Sequence, residues 1–142
     1  MERSLLDTDM FSEVMRGRNQ AVRAKADAYL DILGHLTLSV ITVSEVIDGF
    51  RRQQRDDRIA EFMAEIDAGK HEILALDLMT AVTAGRIFGD LHRIGQPIGN
   101  ADPFIAACAI TLELPLITGN VAHYERVQAL GYPLRLENWR DS

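Results

Sequence analysis

The 142-residue chain has one cysteine, Cys108, which excludes an intrachain disulfide framework and a cysteine-built zinc cage. It has no apolar run approaching the ~18–20 residues of a membrane span, and its N-terminus, MERSLLDTD, lacks a signal-peptide core. The expected setting is therefore cytoplasmic, with no membrane partner. Positive charge is also scarce. Fifteen Lys+Arg against 21 Asp+Glu leave a net charge of −6, which argues against binding nucleic acid by overall charge alone. Internal repeats, low-complexity segments and linkers are all missing. What remains is a 47% hydrophobic, 25% charged composition typical of globular proteins, at a length that suits one domain over residues 1–142.

Strand-like and helix-like patterns alternate along it. SLLD (4–7) reads as a first strand, followed by a helix over about 10–16 closed by Gly17. Residues 20–33 set Ala21, Ala24, Ala28 and Ile32 at helical spacing, stopped by Gly34. LTLSV (36–40) is a second strand, and a helix follows from Thr42, with a break in the Arg-rich interval 49–58 before 59–67. HEILAL (71–76) is a third strand. Residues 78–94 form a helix with Leu78, Ala81, Val82, Gly85, Phe88 and Leu91 as its expected inner side. GQPIGN (95–100) is a loop, 103–112 an apolar helix, PLIT (115–118) a fourth strand, 123–130 a short turn or helix, and YPLRLE (132–137) a fifth strand. Strands separated by helices pair in parallel through right-handed crossovers, so the expectation is an α/β domain with helices on both sheet faces.

Ligands of such sheets bind beyond the carboxyl ends of the strands. Asp7 ends the first strand, Glu45 follows the second, Asp102 opens the helix before the fourth, and Thr118 and Asn120 follow the fourth. Each also has a purely structural explanation. Glu45 stands three residues after Thr42, the spacing of a capping box. Asp102 precedes Pro103 as a helix N-cap would. Asp7 and Asp9 could cap the first helix, and Asn100 and Asn120 suit loops and turns. As a set, the acids point elsewhere. Two like charges 4 Å apart repel by about 4 kcal/mol at an effective dielectric of 20, so three converging carboxylates carry about 12 kcal/mol that protonation or a cation must relieve. Oxygen ligands without Cys or His partners favour Mg²⁺, with Mn²⁺ possible, and such an ion can orient water for attack on phosphorus.

His35, His71 and His92 lack metal-ligand spacing and suit surface or capping roles; His123 falls near the proposed pocket. Cys108, inside AACAI, reads as a small buried hydrophobe, and Trp139 as an anchor for the last strand. Arg51, Arg52, Arg55 and Arg58 cluster, but Asp56, Asp57 and Glu61 interleave with them, as on a solvated helix face with local ion pairs; a phosphate-contacting or partner-binding patch is the alternative.

SLLDTDMFSEVMRG (4–17), SVITVSEVIDGF (39–50), PIGNADPFIAACAITLELPLITGN (97–120), YERV and the terminal LENW, in this order, resemble the PIN-domain ribonuclease toxins of VapC type found in type II toxin–antitoxin pairs. The resemblance spans nearly the whole chain. It implies a three-layer α/β/α fold around a mostly parallel, roughly five-stranded sheet, Mg²⁺-dependent endonucleolytic cleavage of RNA by metal-activated water, a homodimer, and inhibition by a VapB-type antitoxin. Asp7, Glu45 and Asp102 match the family's acids and are the expected catalytic set. Asp7 and Asp102 are expected to hold the metal, with Glu45 and Asn120 supporting it directly or through water, and Thr8, Ser44 and Thr118 around them. No carboxylate lies between Thr118 and Tyr124, where relatives often carry a fourth acid, so one main metal site is expected. Asp9 replaces a common Asn as an outer contributor at most, and Asn100 stands at a loop position often acidic in relatives.

Two other classes compete. A phosphatase of haloacid-dehalogenase type would use Asp7 as nucleophile and Asp9 as general acid, although Met10 and Phe11 stand where Gly-Thr is expected and no downstream lysine is well placed. A non-enzymatic α/β binding module would use every acid as a helix cap.

Overall fold

A computed structural model describes residues 1–141. The chain alternates as expected: β1 (Leu5–Leu6), α1 (Thr8–Arg16), α2 (Gln20–Leu33), β2 (Leu36–Ser39), α3 (Val40–Arg52), α4 (Asp56–Asp67), β3 (His71–Leu74), α5 (Leu78–Arg93), α6 (Asp102–Thr111), β4 (Leu116–Ile117), α7 (Val121–Ala129) and β5 (Leu136–Glu137). Gly17 and Gly34 close α1 and α2 at positive φ of 65° and 82°, a conformation a Cβ would strain.

All pairings are parallel. β4 lies between β1 and β5, with Leu5 opposite Leu116 and Leu116 opposite Leu136, while β2 pairs with β3 from Leu36–His71 to Ser39–Leu74. β1 runs beside β2, so the two ladders sit side by side in the order β3-β2-β1-β4-β5. The chain moves outward from β1 to β3, then crosses back to place β4 on the other side of β1. The crevice between the carboxyl ends of β1 and β4 is thus the topological switch point, where open α/β sheets bind ligands.

Strand alternation sorts the core into two layers. Leu5 and Leu116 point into a cluster with Ala84, Ile87 and Leu91 of α5, Ile105–Ala109 of α6, and Tyr124 and Val127 of α7. Leu6 and Ile117 point the other way, into Met10, Phe11, Val22, Tyr29, Val46, Phe62 and Trp139. Helices α1–α4 therefore cover one face and α5–α7 the other. Helix α6 is apolar on all sides and largely buried, Cys108 included. No helix among the described residues is long and apolar enough to cross a membrane.

Two expected helix faces are displaced. In α2 the buried stripe is Val22, Ala26 and Tyr29, while Ile32 is 66% exposed. Alanine spacing misleads here because the bulky side chains, not the alanines, decide which side packs. In α5 the inner residues are Thr80, Ala84, Ile87 and Leu91, with Leu78 77% exposed. That helix carries apolar residues nearly all round, so periodicity alone could not choose. His71 is also not a surface residue: its side chain is 8% exposed and meets Phe11 edge-on at 5.1 Å. Trp139 lies beyond β5 against Tyr29, ring centroids 5.6 Å apart, and both rings are buried.

Candidate active site

The local starts of three helices decide which acids are free for chemistry. Helix α3 begins earlier than the Thr42 pattern suggests, at Val40, because Ser39 is its N-cap and accepts the Thr42 N–H at 3.2 Å. Glu45 then sits in the second turn and caps nothing, which overturns the capping-box explanation. Asp102 is not a cap either: Ala101 holds that position without a side-chain bond, and Asp102 is the first residue of α6. Its carboxylate stands at the positive end of the helix dipole. Asp7 does cap α1, accepting the Met10 N–H on Oδ1 at 2.8 Å, but its Oδ2 accepts the Thr118 hydroxyl at 2.5 Å from across the switch point. Parallel pairing sets this second bond, since the Asp7 N–H reaches the Ile117 carbonyl at 3.1 Å and the Thr118 N–H reaches Glu137 at 2.9 Å.

The remaining contacts knit the rim. The Thr8 hydroxyl donates to Glu45 Oε1 and takes a bond from the Thr42 hydroxyl at 3.0 Å. Asn120 donates through Nδ2 to Asp9 Oδ2 at 2.5 Å, and its N–H reaches Thr118 Oγ1 at 2.9 Å. His123 Nδ1 stands 3.5 Å from Asp102 Oδ2. The Tyr124 hydroxyl is buried near Asp102 without a well-formed hydrogen bond. Ser44 is exposed and makes no side-chain bond to the acids; Thr42, absent from the expected set, takes that place beside Thr8. Asn100 is exposed in its loop. Thr42 and Tyr124 lie inside the blocks SVITVSEVIDGF and YERV but carry no expected site role, because a threonine in a helix's first turn and an aromatic on a helix look structural.

Electrostatically the acids share one environment. Burial, reinforced by the Asp9 and Asp102 charges, pushes the Asp7 carboxyl up to about 6 against the pull of its two hydrogen bonds. Burial likewise raises Glu45, with Asp102, Asp9 and Asp48 adding to it, while the Thr8 bond opposes the rise. Asp102 is raised by burial and by Asp9, against His123 and Tyr124. Among the described residues no Lys or Arg pairs with Asp7, Asp9, Glu45 or Asp102. Nor do any three Asp, Glu, His or Cys groups stand close enough to enclose an ion as they are. The arrangement is an open set of hard oxygen donors whose mutual repulsion a divalent cation would relieve.

This geometry overturns the two competing classes. The general acid such a phosphatase needs at Asp9 is instead held by the Asn120 amide, and Met10 and Phe11 fold into α1 where its Gly-Thr turn would be. A module whose acids merely cap helices fails at Glu45 and Asp102. The arginine segment behaves as a solvated face: Arg51 pairs with Asp56, Arg52 with Asp48 and Arg55 with Asp57, all exposed.

Comparison with known proteins agrees with the geometry. Residues 4–129 match the PIN domain model. The chain is similar to the tRNA(fMet)-specific endonuclease VapC of Shigella flexneri, 29% identical over 143 residues, covering 98% of this chain and 99% of that protein. It is similar to ribonuclease VapC1 of Rickettsia felis, 30% identical over 128 residues, covering 89% and 91%. Among solved structures it superposes on one chain of the DNA-bound VapBC structure from Salmonella typhimurium with a TM-score of 0.78, 26% identity, and coverage of 98% of this chain and 99% of that one.

Proposed function

The chain belongs to the PIN-domain family, in its VapC-type branch, and from that premise we propose that it is the ribonuclease toxin of a toxin–antitoxin pair. The observation that carries this is the group of partly or wholly buried, mutually coupled acids at the switch point with no protein cation to neutralise them. Its substrate is RNA, and the tRNA(fMet) named for the Shigella relative is the first RNA to try. Its partner is a VapB-type antitoxin, as in the VapBC complexes it superposes on. The working unit is a single PIN-like domain over residues 1–142, paired as a homodimer.

The donor chemistry fits a divalent metal ion: the carboxylates of Asp7, Glu45 and Asp102 offer hard oxygens, and two buried polar atoms near Asp102, the Tyr124 hydroxyl and His123 Nδ1, are left without a hydrogen bond. Magnesium is the ion we assign, with manganese as a substitute. Asp7 and Asp102 would hold it, with Glu45 and Asn120 supporting. When bound, such an ion polarises the phosphodiester and offsets the charge that develops on it.

The chain's own residues supply the rest. Thr118 and the Met10 N–H fix both oxygens of Asp7, so the carboxylate cannot rotate away. Thr8, braced by Thr42, holds Glu45 Oε1 and leaves Oε2 to accept a proton from the attacking water. The water oxygen bonds to phosphorus, the bond from phosphorus to the leaving ribose oxygen breaks, and that oxygen takes its proton from solvent. The test is cleavage of tRNA(fMet) and other labelled RNAs by protein freed of antitoxin. Cleavage is expected with Mg²⁺ or Mn²⁺ and is lost with chelator and in Asp7→Asn and Asp102→Asn. Cleavage that persists in those variants overturns the site assignment.

A further inference from the structure

An acidic chain that cuts an anionic polymer needs a cation at the rim of its cleft, and the dense arginine segment does not provide one, since Arg51, Arg52 and Arg55 are committed to neighbouring aspartates. We infer that Arg140, three residues beyond β5, contacts an RNA phosphate beside the acids. This rests on the ribonuclease function proposed above.

Three features hold Arg140 there. Trp139, buried against Tyr29, fixes the backbone one residue earlier, and the Arg140 N–H bonds Asn138 Oδ1 at 2.9 Å. Its Nε donates to Glu13 Oε2 at 2.5 Å; Glu13 lies on α1, one turn beyond Asp9. Its guanidinium occupies the space a side chain at 119 would fill: a Cβ built on Gly119 would collide with Arg140 Nη1 and Cζ. Gly119 is the residue between Thr118, which bonds Asp7, and Asn120, which bonds Asp9. The missing side chain therefore admits the guanidinium to the edge of the acid cluster.

Glu13 is 14% exposed and engages Nε, whereas Arg140 is 38% exposed, and among the described residues its Nη groups make no hydrogen bond. A guanidinium fork with Nε tied down and Nη donors open matches phosphate geometry. A side chain that only clamped the tail would need the ion pair and not the seat on Gly119.

The experiment measures cleavage, across a potassium chloride series, of the RNA that the wild-type chain cuts best. Arg140→Ala is expected to raise KM about tenfold with kcat little changed, because a charge-assisted phosphate contact made equally in ground and transition states acts on binding. The slope of log(kcat/KM) against log salt should become shallower by about 0.7–0.9, the value of one neutralised phosphate. Arg140→Lys should restore the slope but only part of the KM. Gly119→Ala, whose φ is not in the left-handed region, should shift KM the same way by displacing the guanidinium. Mn²⁺ affinity, read by paramagnetic resonance, should stay unchanged in each variant. An unchanged salt slope with a lowered melting temperature in Arg140→Ala makes the residue a tail clamp and overturns the proposal alone. Weakened Mn²⁺ binding overturns it too, by placing the effect on the acids. A wild-type chain that cuts no RNA overturns the ribonuclease function and this proposal with it.

Discussion

Two charged regions of this molecule behave in opposite ways. Around residues 48–58, acids and arginines are packed densely in sequence, and the structure resolves them into exposed, short-range ion pairs. At the carboxyl ends of β1 and β4, acids drawn from residues 7, 9, 45 and 102 meet with no Lys or Arg paired to them among the described residues, and burial raises three of them. Charge density along the chain therefore says little about stored electrostatic free energy. What matters is desolvation and the lack of a counter-charge, and the scattered set has both.

The sharpest way to break that contrast is to remove one acid from the buried set. Asp102→Asn or Asp7→Asn should lower kcat for RNA cleavage by at least about 100-fold, the scale of losing a group that acts on transition-state charge. The same change at the arginine segment, Arg55→Ala, should leave kcat unchanged. Equal losses at both would erase the distinction.

Stability gives the next largest effect. The Asp7 carboxyl in the folded protein, near 6, lies above its ordinary 3.8. Folding is therefore favoured by this group below pH 3.8, and the advantage is lost as pH rises through 6, at about 3 kcal/mol in full. Urea unfolding of the metal-free protein should show Asp7→Asn more stable than wild type at pH 7, with the gap closing toward pH 4. Asparagine also serves as an N-cap, so the α1 start survives. Saturating Mn²⁺ should reverse the order at pH 7, since only the wild type retains the full ligand set. A pH-independent difference would remove Asp7 from the coupled cluster.

A smaller effect sharpens the role of the helix starts. Ser39→Ala should destabilise the fold by about 1 kcal/mol through the lost α3 cap, whereas Glu45→Gln, which caps nothing, should cost activity rather than stability. The smallest effect belongs to the exposed pairs: Arg51→Ala should move the melting temperature by no more than about 1 °C.

Element order was legible in the sequence because glycines and turn residues punctuate it; Gly17 and Gly34 end their helices where expected. Asp7, Glu45 and Asp102 were legible as a set through their motif blocks. Helix faces were less so. α2 and α5 carry small or apolar residues on more than one side, and the choice between sides is made by what packs against them. The Glu45 capping box misled because Ser39, still read as strand, is the true cap. Tyr124 and the Gly119–Arg140 seat depend on contacts between distant segments, which spacing cannot reveal.

The Thr118–Asp7 bond spans 111 residues, the Asn120–Asp9 bond another 111, and Arg140 reaches back 127 to Glu13. A chain emerging from the ribosome holds Asp7 from the start, yet cannot assemble the cleft until its last strands are made, because long-range contacts close late. Topology is thus itself a delay: a chain truncated before β4 lacks Thr118 and Asn120, which hold Asp7 and Asp9, and is expected to be inert rather than a weaker nuclease.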